Sequence, residues 1–230
     1  MTRSPTKSDF VLVHGAWHGG WCWERLIPLL ASAGRRVLAP TLSGLDGRPG
    51  RFALRHHVDD IVVTAVSFPS ITLVGHSYAG FPVCAAASRL GDRVDHLVLL
   101  DAFLPVDEER LLDHAPHLID RYANAMAANP EWRIPPLSAV EFGIPRSDQV
   151  WVDTRLTGHP PHSYFEPVRL ERPLSGFRKT YIRCRGTPGE LLARSVARAK
   201  NDGWNYLELD APHDAMLTHP QALADLLLAL

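Results

Sequence analysis

Apolar residues fall along this chain in two alternating rhythms. Short runs rich in apolar residues occur at Phe10-Val11-Leu12-Val13, Arg36-Val37-Leu38-Ala39-Pro40, Ile71-Thr72-Leu73-Val74, His96-Leu97-Val98-Leu99-Leu100, Lys179 to Cys184 and Trp204 to Leu209. Each is too short for a typical helix and predicts a strand, and the near-continuous ones suit central strands covered on both faces. Between them lie segments with helical spacing: Trp23 to Ser32, Val58 to Val66, Tyr78 to Leu90, Glu190 to Lys200 and Gln221 to Leu230. Strand and helix alternate, which predicts an α/β fold with a mostly parallel central sheet and helices on both faces. Ligands in such sheets bind at the carboxyl ends of the strands.

The alternation stops between Leu104 and Arg178. That segment holds many prolines, two helical stretches (Glu108 to Ala128 and Ser147 to Leu156) and no clear strand. An insertion too long for a loop is expected to have structure of its own. The chain therefore divides into a core, residues 1–104 and 179–230, and a helical cap or lid insertion, residues 105–178. The insertion is aromatic, with Tyr122, Trp132, Phe142, Trp151, Tyr164 and Phe165; these rings pack it onto the core, line a site beneath it, or do both.

Composition narrows the function classes. With 46% hydrophobic and 21% charged residues among 230, the chain can bury a sizeable core, and one compact domain is expected. The formal net charge of −1 leaves no overall electrostatic footprint for nucleic acid or an anionic membrane. No apolar run approaches the ~18 residues of a membrane helix. Met1 to Ser8 is polar with no apolar region behind it, so a cytoplasmic place is expected. Cys22, Cys84 and Cys184 are odd in number and scattered, which excludes a disulfide framework and any CxxC site. Arg35-Arg36 and Asp107 to Arg110 read as solvated surface.

The chemistry gathers after the strands. Gly75-His76-Ser77-Tyr78-Ala79-Gly80 joins a strand to a helix through a tight turn with a serine at its apex, the arrangement of a nucleophile elbow, with alanine in the fifth place of G-x-S-x-G. Small residues let the turn lift the hydroxyl above the sheet, while the amide of Tyr78 sits at the helix start, ready to stabilise an oxyanion. The alternative is a Ser-Gly turn that merely begins a helix. The loop His14 to Trp23, after the first strand, is placed to aim the amide of Ala16 at the same oxygen and complete a two-donor oxyanion hole; the alternative is that its glycines serve only as turn residues and its tryptophans only as core. Neither G-x-G-x-x-G nor G-x-x-x-x-G-K-[ST] is present, so a phosphate loop is the poorer reading.

Twelve histidines are available as the base. His213 follows the last strand and precedes the last helix, where a loop hangs over the serine. The pairs His56/His57, His114/His117 and His159/His162 lack a cysteine or glutamate companion at metal spacing, so no metal and no cofactor is expected. The acid must sit at a strand's carboxyl end within reach of the imidazole. Asp101 directly follows Leu97 to Leu100, and Glu190 is the first carboxylate after the penultimate strand; geometry favours Asp101 over Glu190. Asp214 and Asp210 are too close to His213 in sequence to point well.

At these residues the sequence resembles the α/β-hydrolase superfamily, and within it the group of plant methyl-salicylate esterases, methylketone enzymes, hydroxynitrile lyases and their bacterial esterase relatives. His14 to Trp23 is similar to the group's HGAxHGxWxW segment, Gly75 to Gly80 to its GHSxxG elbow, and His213 to its late histidine. The resemblance implies Ser77 as nucleophile, His213 as base, the Ala16 and Tyr78 amides as oxyanion hole, and a lid above the strand ends. The plant enzymes usually place an Asp after the penultimate strand, and this chain has none between Cys184 and Lys200. Leu100-Asp101-Ala102-Phe103 instead resembles the placement in some haloalkane dehalogenases, of which only that placement carries over. The lyases set a lysine beside the catalytic histidine; here the neighbour is Asp214, and the lysines are Lys7, Lys179 and Lys200.

The sequence thus points to a serine hydrolase that cleaves a small to medium, apolar ester through an acyl-enzyme, with Trp17, Trp21, Tyr78 and Phe103 flanking the pocket. The partner is a small molecule. Amides, carbamates, lactones and thioesters fit the same triad. The other classes are a lyase or cyclase on this scaffold and a ligand-binding protein with a vestigial triad. Oligomeric state has no signature in the sequence.

Overall fold

The computed structural model describes residues 8–230; the opening segment up to Lys7, on which the leader reading rests, lies outside the described residues. Six strands form one sheet: β1 (Asp9–Val13), β2 (Val37–Leu38), β3 (Ile71–His76), β4 (Val94–Leu100), β5 (Lys179–Cys184) and β6 (Asn205–Leu209). Their spatial order is β2-β1-β3-β4-β5-β6 and every pairing is parallel. Helices α1 (Ile27–Ser32), α2 (Leu54–Ala65) and α3 (Gly80–Leu90) occupy the first half. Helices α4 (Ile119–Ala128), α5 (Arg146–Asp153) and α6 (His162–Phe165) lie between β4 and β5, and α7 (Ala193–Asn201), α8 (Ala215–Thr218) and α9 (Pro220–Ala229) complete the chain.

Alternation along each strand feeds two cores. Phe10 and Leu12 of β1 join Val74, Val98 and Leu100 on the face covered by α1, α8 and α9. Val11 and Val13 join Leu73, Leu97 and Leu99 on the face covered by α2, α3 and α7. The central strands therefore need apolar residues at consecutive positions, which is why they read as unbroken runs. Each fully buried Leu or Val contributes about 1.5–3 kcal/mol.

Helix boundaries differ from the sequence expectation where side chains intervene. Helix α2 begins four residues before Val58 because the ring of His56 accepts the amide of Ala53 and so satisfies an otherwise orphaned donor. In the first helical segment Gly20–Trp23 makes a separate 3₁₀ turn, and α1 starts only at Ile27 with Pro28 in its first turn. The single helix expected from Glu108 to Ala128 is broken. Leu111–His114 and Pro116–Leu118 are 3₁₀ turns and only Ile119–Ala128 is α-helical. Pro116 offers no N–H and holds Ala115 outside the helical region, at φ −141° and ψ 61°. Between β4 and β5 an isolated antiparallel bridge, Ile134 with His159, adds a contact that the sequence does not suggest. No described helix is long and apolar enough to cross a membrane.

Candidate active site

The loops after β1, β3, β4, β5 and β6 meet above the carboxyl edge of the sheet. β3 ends at His76 and α3 starts at Gly80, so the turn at Ser77 is as short as the sequence suggests. Ser77 takes φ +55°, in the left-handed region. A Cβ on Gly80 would stand 1.8 Å from the carbonyl oxygen of Phe103, so only glycine lets the loop after β4 lie against the new helix. That loop is fastened to the elbow by Phe103 N donating to Ser77 O at 3.1 Å. The β1 loop lies equally close: a Cβ on Gly15 would stand 3.0 Å from Ser77 Cβ, which brings Ala16 beside the serine.

Asp101 is fully buried and also takes positive φ, +44°. Its Oδ2 accepts from His213 Nδ1 at 2.6 Å and from the Thr187 hydroxyl. Its Oδ1 accepts from the Arg183 guanidinium and from Cys184 N at 3.1 Å. Burial pushes the Asp101 carboxyl up, but the hydrogen bonds of His213 and Thr187 and the charges of His213 and Arg183 outweigh it and hold it below the usual carboxylate range. Glu190 is exposed, and the contact with His213 Nδ1 is made by Asp101 instead. Asp210 is exposed too and pairs with Arg185 at 3.3 Å. His213 belongs to the β6 loop and must span β5 to reach Asp101; Gly186 N donating to Ala211 O at 3.0 Å holds that loop over the end of β5.

A buried polar network lies behind these residues. His18 Nδ1 is 2.7 Å from the carbonyl of Ala16 and its Nε2 is 3.0 Å from Asp214 Oδ2. A carbonyl and a carboxylate can only accept, so both ring nitrogens donate and His18 is an imidazolium paired with a buried carboxylate. Burial opposes that charge, yet the Asp214 charge and hydrogen bond raise His18 above its ordinary value and hold Asp214 below its own. His76 Nε2 donates to the carbonyl of His213 at 3.1 Å. Burial, then the charge of His213, drops His76 to about 3, so its ring is neutral. Tyr78, whose amide follows Ser77, is anchored by its own side chain. His57 Nε2 donates to Ser43 O at 2.9 Å, leaving Nδ1 to accept from the Tyr78 hydroxyl at 2.7 Å. Burial lowers His57 to about 4.

The hydroxyl side of the site opens into a cavity of about 450 Å³ lined by Ser77, His213, Ala16, Trp17, Tyr78 and Phe103, with Tyr122, Phe142 and Tyr164 contributed by residues 105–178. Trp17 is fixed there by φ +66° and by Nε1 donating to Ile134 O at 3.0 Å. Trp21, expected to flank the pocket, does not line it. The 3₁₀ turn at Gly20–Trp23 turns its ring to stack on His18, centroids 5.3 Å apart, and against Trp151 at 5.4 Å. Among the described residues no lysine lines the cavity: Lys179 lies over Trp204 and Lys200 over Tyr206.

Sequence reasoning missed Thr187 and Arg183 as partners of the buried carboxylate, and it missed the His18–Asp214 pair. The second histidine of His14-Gly15-Ala16-Trp17-His18 is the one signal that points to the latter. The histidine pairs weighed as metal ligands do not form a ligand set. Among the described residues the group close enough to share an ion is His76, His213 and Asp214, with ligand atoms within 4.8 Å of one another. In this group His213 Nδ1 is hydrogen-bonded to Asp101 and His76 Nε2 to the carbonyl of His213.

The chain matches the alpha/beta hydrolase family over residues 10–226. A carbendazim hydrolyzing esterase of Nocardioides sp. (strain SG-4G) is 30% identical over 240 aligned residues, covering 97% of this chain and 99% of that protein. An alpha-hydroxynitrile lyase of Arabidopsis thaliana is 40% identical over 124 residues, which is 50% of this chain and 46% of the lyase. Among solved structures, an extracellular alpha/beta-hydrolase from a Paenibacillus species, described as sharing structural and functional homology with tobacco salicylic acid binding protein 2, superimposes with a TM-score of 0.83. Its identity is 20%, with 97% of this chain and 98% of that chain covered, a likeness of fold.

Proposed function

The chain belongs to the alpha/beta hydrolase family, and from that premise we propose that it is a serine-dependent carboxylesterase acting on small to medium, largely apolar esters. The observation that carries this reading is the 2.6 Å contact of Asp101 with His213, at a cavity that also receives Ser77 from its strained elbow. Ser77 Oγ attacks the ester carbonyl while His213 Nε2 takes its proton. The amides of Ala16 and Tyr78 donate to the developing oxyanion, each contributing about 3 kcal/mol to the barrier reduction by analogy with measured cases. His213 returns the proton to the leaving alcohol, and water, activated by the same imidazole, releases the acid from the acyl-enzyme. Asp101 fixes the tautomer in which Nδ1 carries the hydrogen and favours the imidazolium that forms.

In this reading residues 105–178 are a lid on a core made of 1–104 and 179–230, supported by their contribution of Tyr122, Phe142 and Tyr164 to the outer walls of the cavity. The reading also keeps the protein in the cytoplasm, supported by the unpaired state of Cys22, Cys84 and Cys184. The cavity's lack of lysine among its described lining residues weighs against cyanohydrin cleavage in the manner of the lyases.

The test is steady-state hydrolysis of short-chain nitrophenyl esters and of carbendazim, the compound in the Nocardioides relative's name, by the wild type and by Ser77→Ala. Turnover that disappears in Ser77→Ala is the expected result. Turnover that survives the substitution, or none with any ester, overturns the proposal.

A further inference from the structure

Resting on the esterase reading above, we propose that His114, backed by Glu109, is a substrate-binding group that accepts a hydrogen bond from a hydroxyl or ring N–H elsewhere on the ester than its reacting carbonyl. The cavity is otherwise walled here by apolar groups such as Phe103, Leu111, Leu112 and Leu118, and the rings of Phe103 and of the buried Phe81 stand edge-on to the His114 ring, with centroids 5.3 and 5.8 Å away. An imidazole in such a wall has lost most of its water, its side chain being 5% exposed.

Behind the ring is a carboxylate whose own needs are already met. Glu109 is held by Arg194 at 2.9 Å, by Arg198 and by the amide of Val106 at 3.0 Å. His114 Nε2 lies 3.4 Å from Glu109 Oε1, at ion-pair distance but without the alignment of a hydrogen bond. A carboxylate oxygen only accepts, so when the ring carries a single hydrogen that hydrogen belongs on Nε2, facing Glu109, and the lone pair on Nδ1. Among the described residues Nδ1 has no hydrogen-bond partner, and His114 is a lining residue of the cavity that holds Ser77 and His213. A substrate that is apolar at this point strips that lone pair of water and gives nothing in return, whereas a donor restores the lost bond. Sites with buried polar groups discriminate strongly against analogues that leave those groups unpaired. The device therefore selects esters with one polar hydrogen within an otherwise apolar body.

The experiment compares matched methyl arylacetates at pH 8, with hydroxyl or methyl at the ortho, meta and para positions, for the wild type, His114→Phe and His114→Gln. The readout is the hydroxyl-to-methyl ratio of kcat/KM, which cancels any general change in activity. At one ring position or more the wild type is expected to favour the hydroxyl by ~10–100-fold. His114→Phe should reduce that ratio to near one, and His114→Gln, which keeps an acceptor, should restore part of it. No preference at any position in the wild type, or a preference that persists in His114→Phe, overturns the proposal, and the wild-type comparison suffices for the first of these without any variant. 4-Nitrophenyl butyrate is assayed in parallel on the wild type. Hydrolysis of the butyrate without hydroxyl preference refutes the role of His114 alone, whereas failure to hydrolyse any ester refutes the esterase reading on which it rests.

Discussion

The floor of the cavity and its outer wall are built on different terms. The floor consists of the turns that leave the sheet. There, Trp17, Ser77 and Asp101 are held at positive φ, a conformation that costs on the order of 1–3 kcal/mol at each residue and persists only where its surroundings over-determine it. Those surroundings are hydrogen bonds between loops, Phe103 to Ser77, His213 to Asp101, His76 to His213 and His18 to Asp214, and one within the β1 loop, His18 to Ala16. The wall, from residues 105–178, has short helices, 3₁₀ turns and a single bridge between Ile134 and His159. It meets the cavity chiefly through apolar and aromatic side chains. Proton transfer tolerates little misplacement, whereas an apolar wall needs only shape, so under the proposed esterase reading the chemistry sits on the sheet and the selection of substrate on the insertion.

This contrast predicts losses of very different size and kind. Ser77→Ala should lower kcat by about 10⁶, as in other serine hydrolases that lose the nucleophile, with the fold intact by circular dichroism. Asp101→Asn should lower kcat by about 10⁴, because the amide favours the wrong tautomer of His213. Behind the floor, Asp214→Asn removes one partner of a buried pair and should cost about 3–5 kcal/mol of stability, read from the denaturant midpoint. In the wall, Leu111→Ala should raise KM for a bulky apolar ester by ~10-fold while kcat stays nearly level. Glu190→Gln, an exposed change, should leave both constants within about twofold.

The pH dependence of stability follows from the floor. His14, His57 and His76 are buried and neutral, with values lowered by burial to about 3, 4 and 3. Unfolding returns each to the usual value of about 6.5, so the unfolded chain binds more protons as pH falls below that value and stability drops with it. Asp101 and Asp214, held below their ordinary range, add a further loss at lower pH still. His18 has the opposite sign: its contribution is present below about 6.5 and is lost only as pH rises through its raised value. The denaturant midpoint should therefore fall steadily from pH 7 to pH 5. An unchanged midpoint over that interval would contradict the neutral buried histidines.

The same contrast explains what the sequence discloses. Strand β3, the turn at Ser77 and helix α3 are consecutive, so their geometry is written in a few adjacent residues. Asp101 follows from strand position in the same way. His18 and Asp214 are 196 residues apart and meet only because β1 and β6 deliver both loops to one edge of the sheet. Thr187 and Arg183 escape notice for a similar reason, since nothing local marks either as a partner of Asp101. In the wall, the helical pattern from Glu108 onward is overruled by one proline, and Trp21 leaves the pocket because a 3₁₀ turn rotates it toward Trp151. Local turn chemistry decided both, and apolar spacing does not register it.

The central claim is that the floor activates Ser77. The most direct measurement is incubation of the purified protein with a fluorophosphonate, followed by peptide mass spectrometry of wild type and Asp101→Asn. The account predicts one adduct, on Ser77, formed far more slowly in Asp101→Asn. An adduct on another residue, or equal rates of labelling in the two proteins, would contradict it.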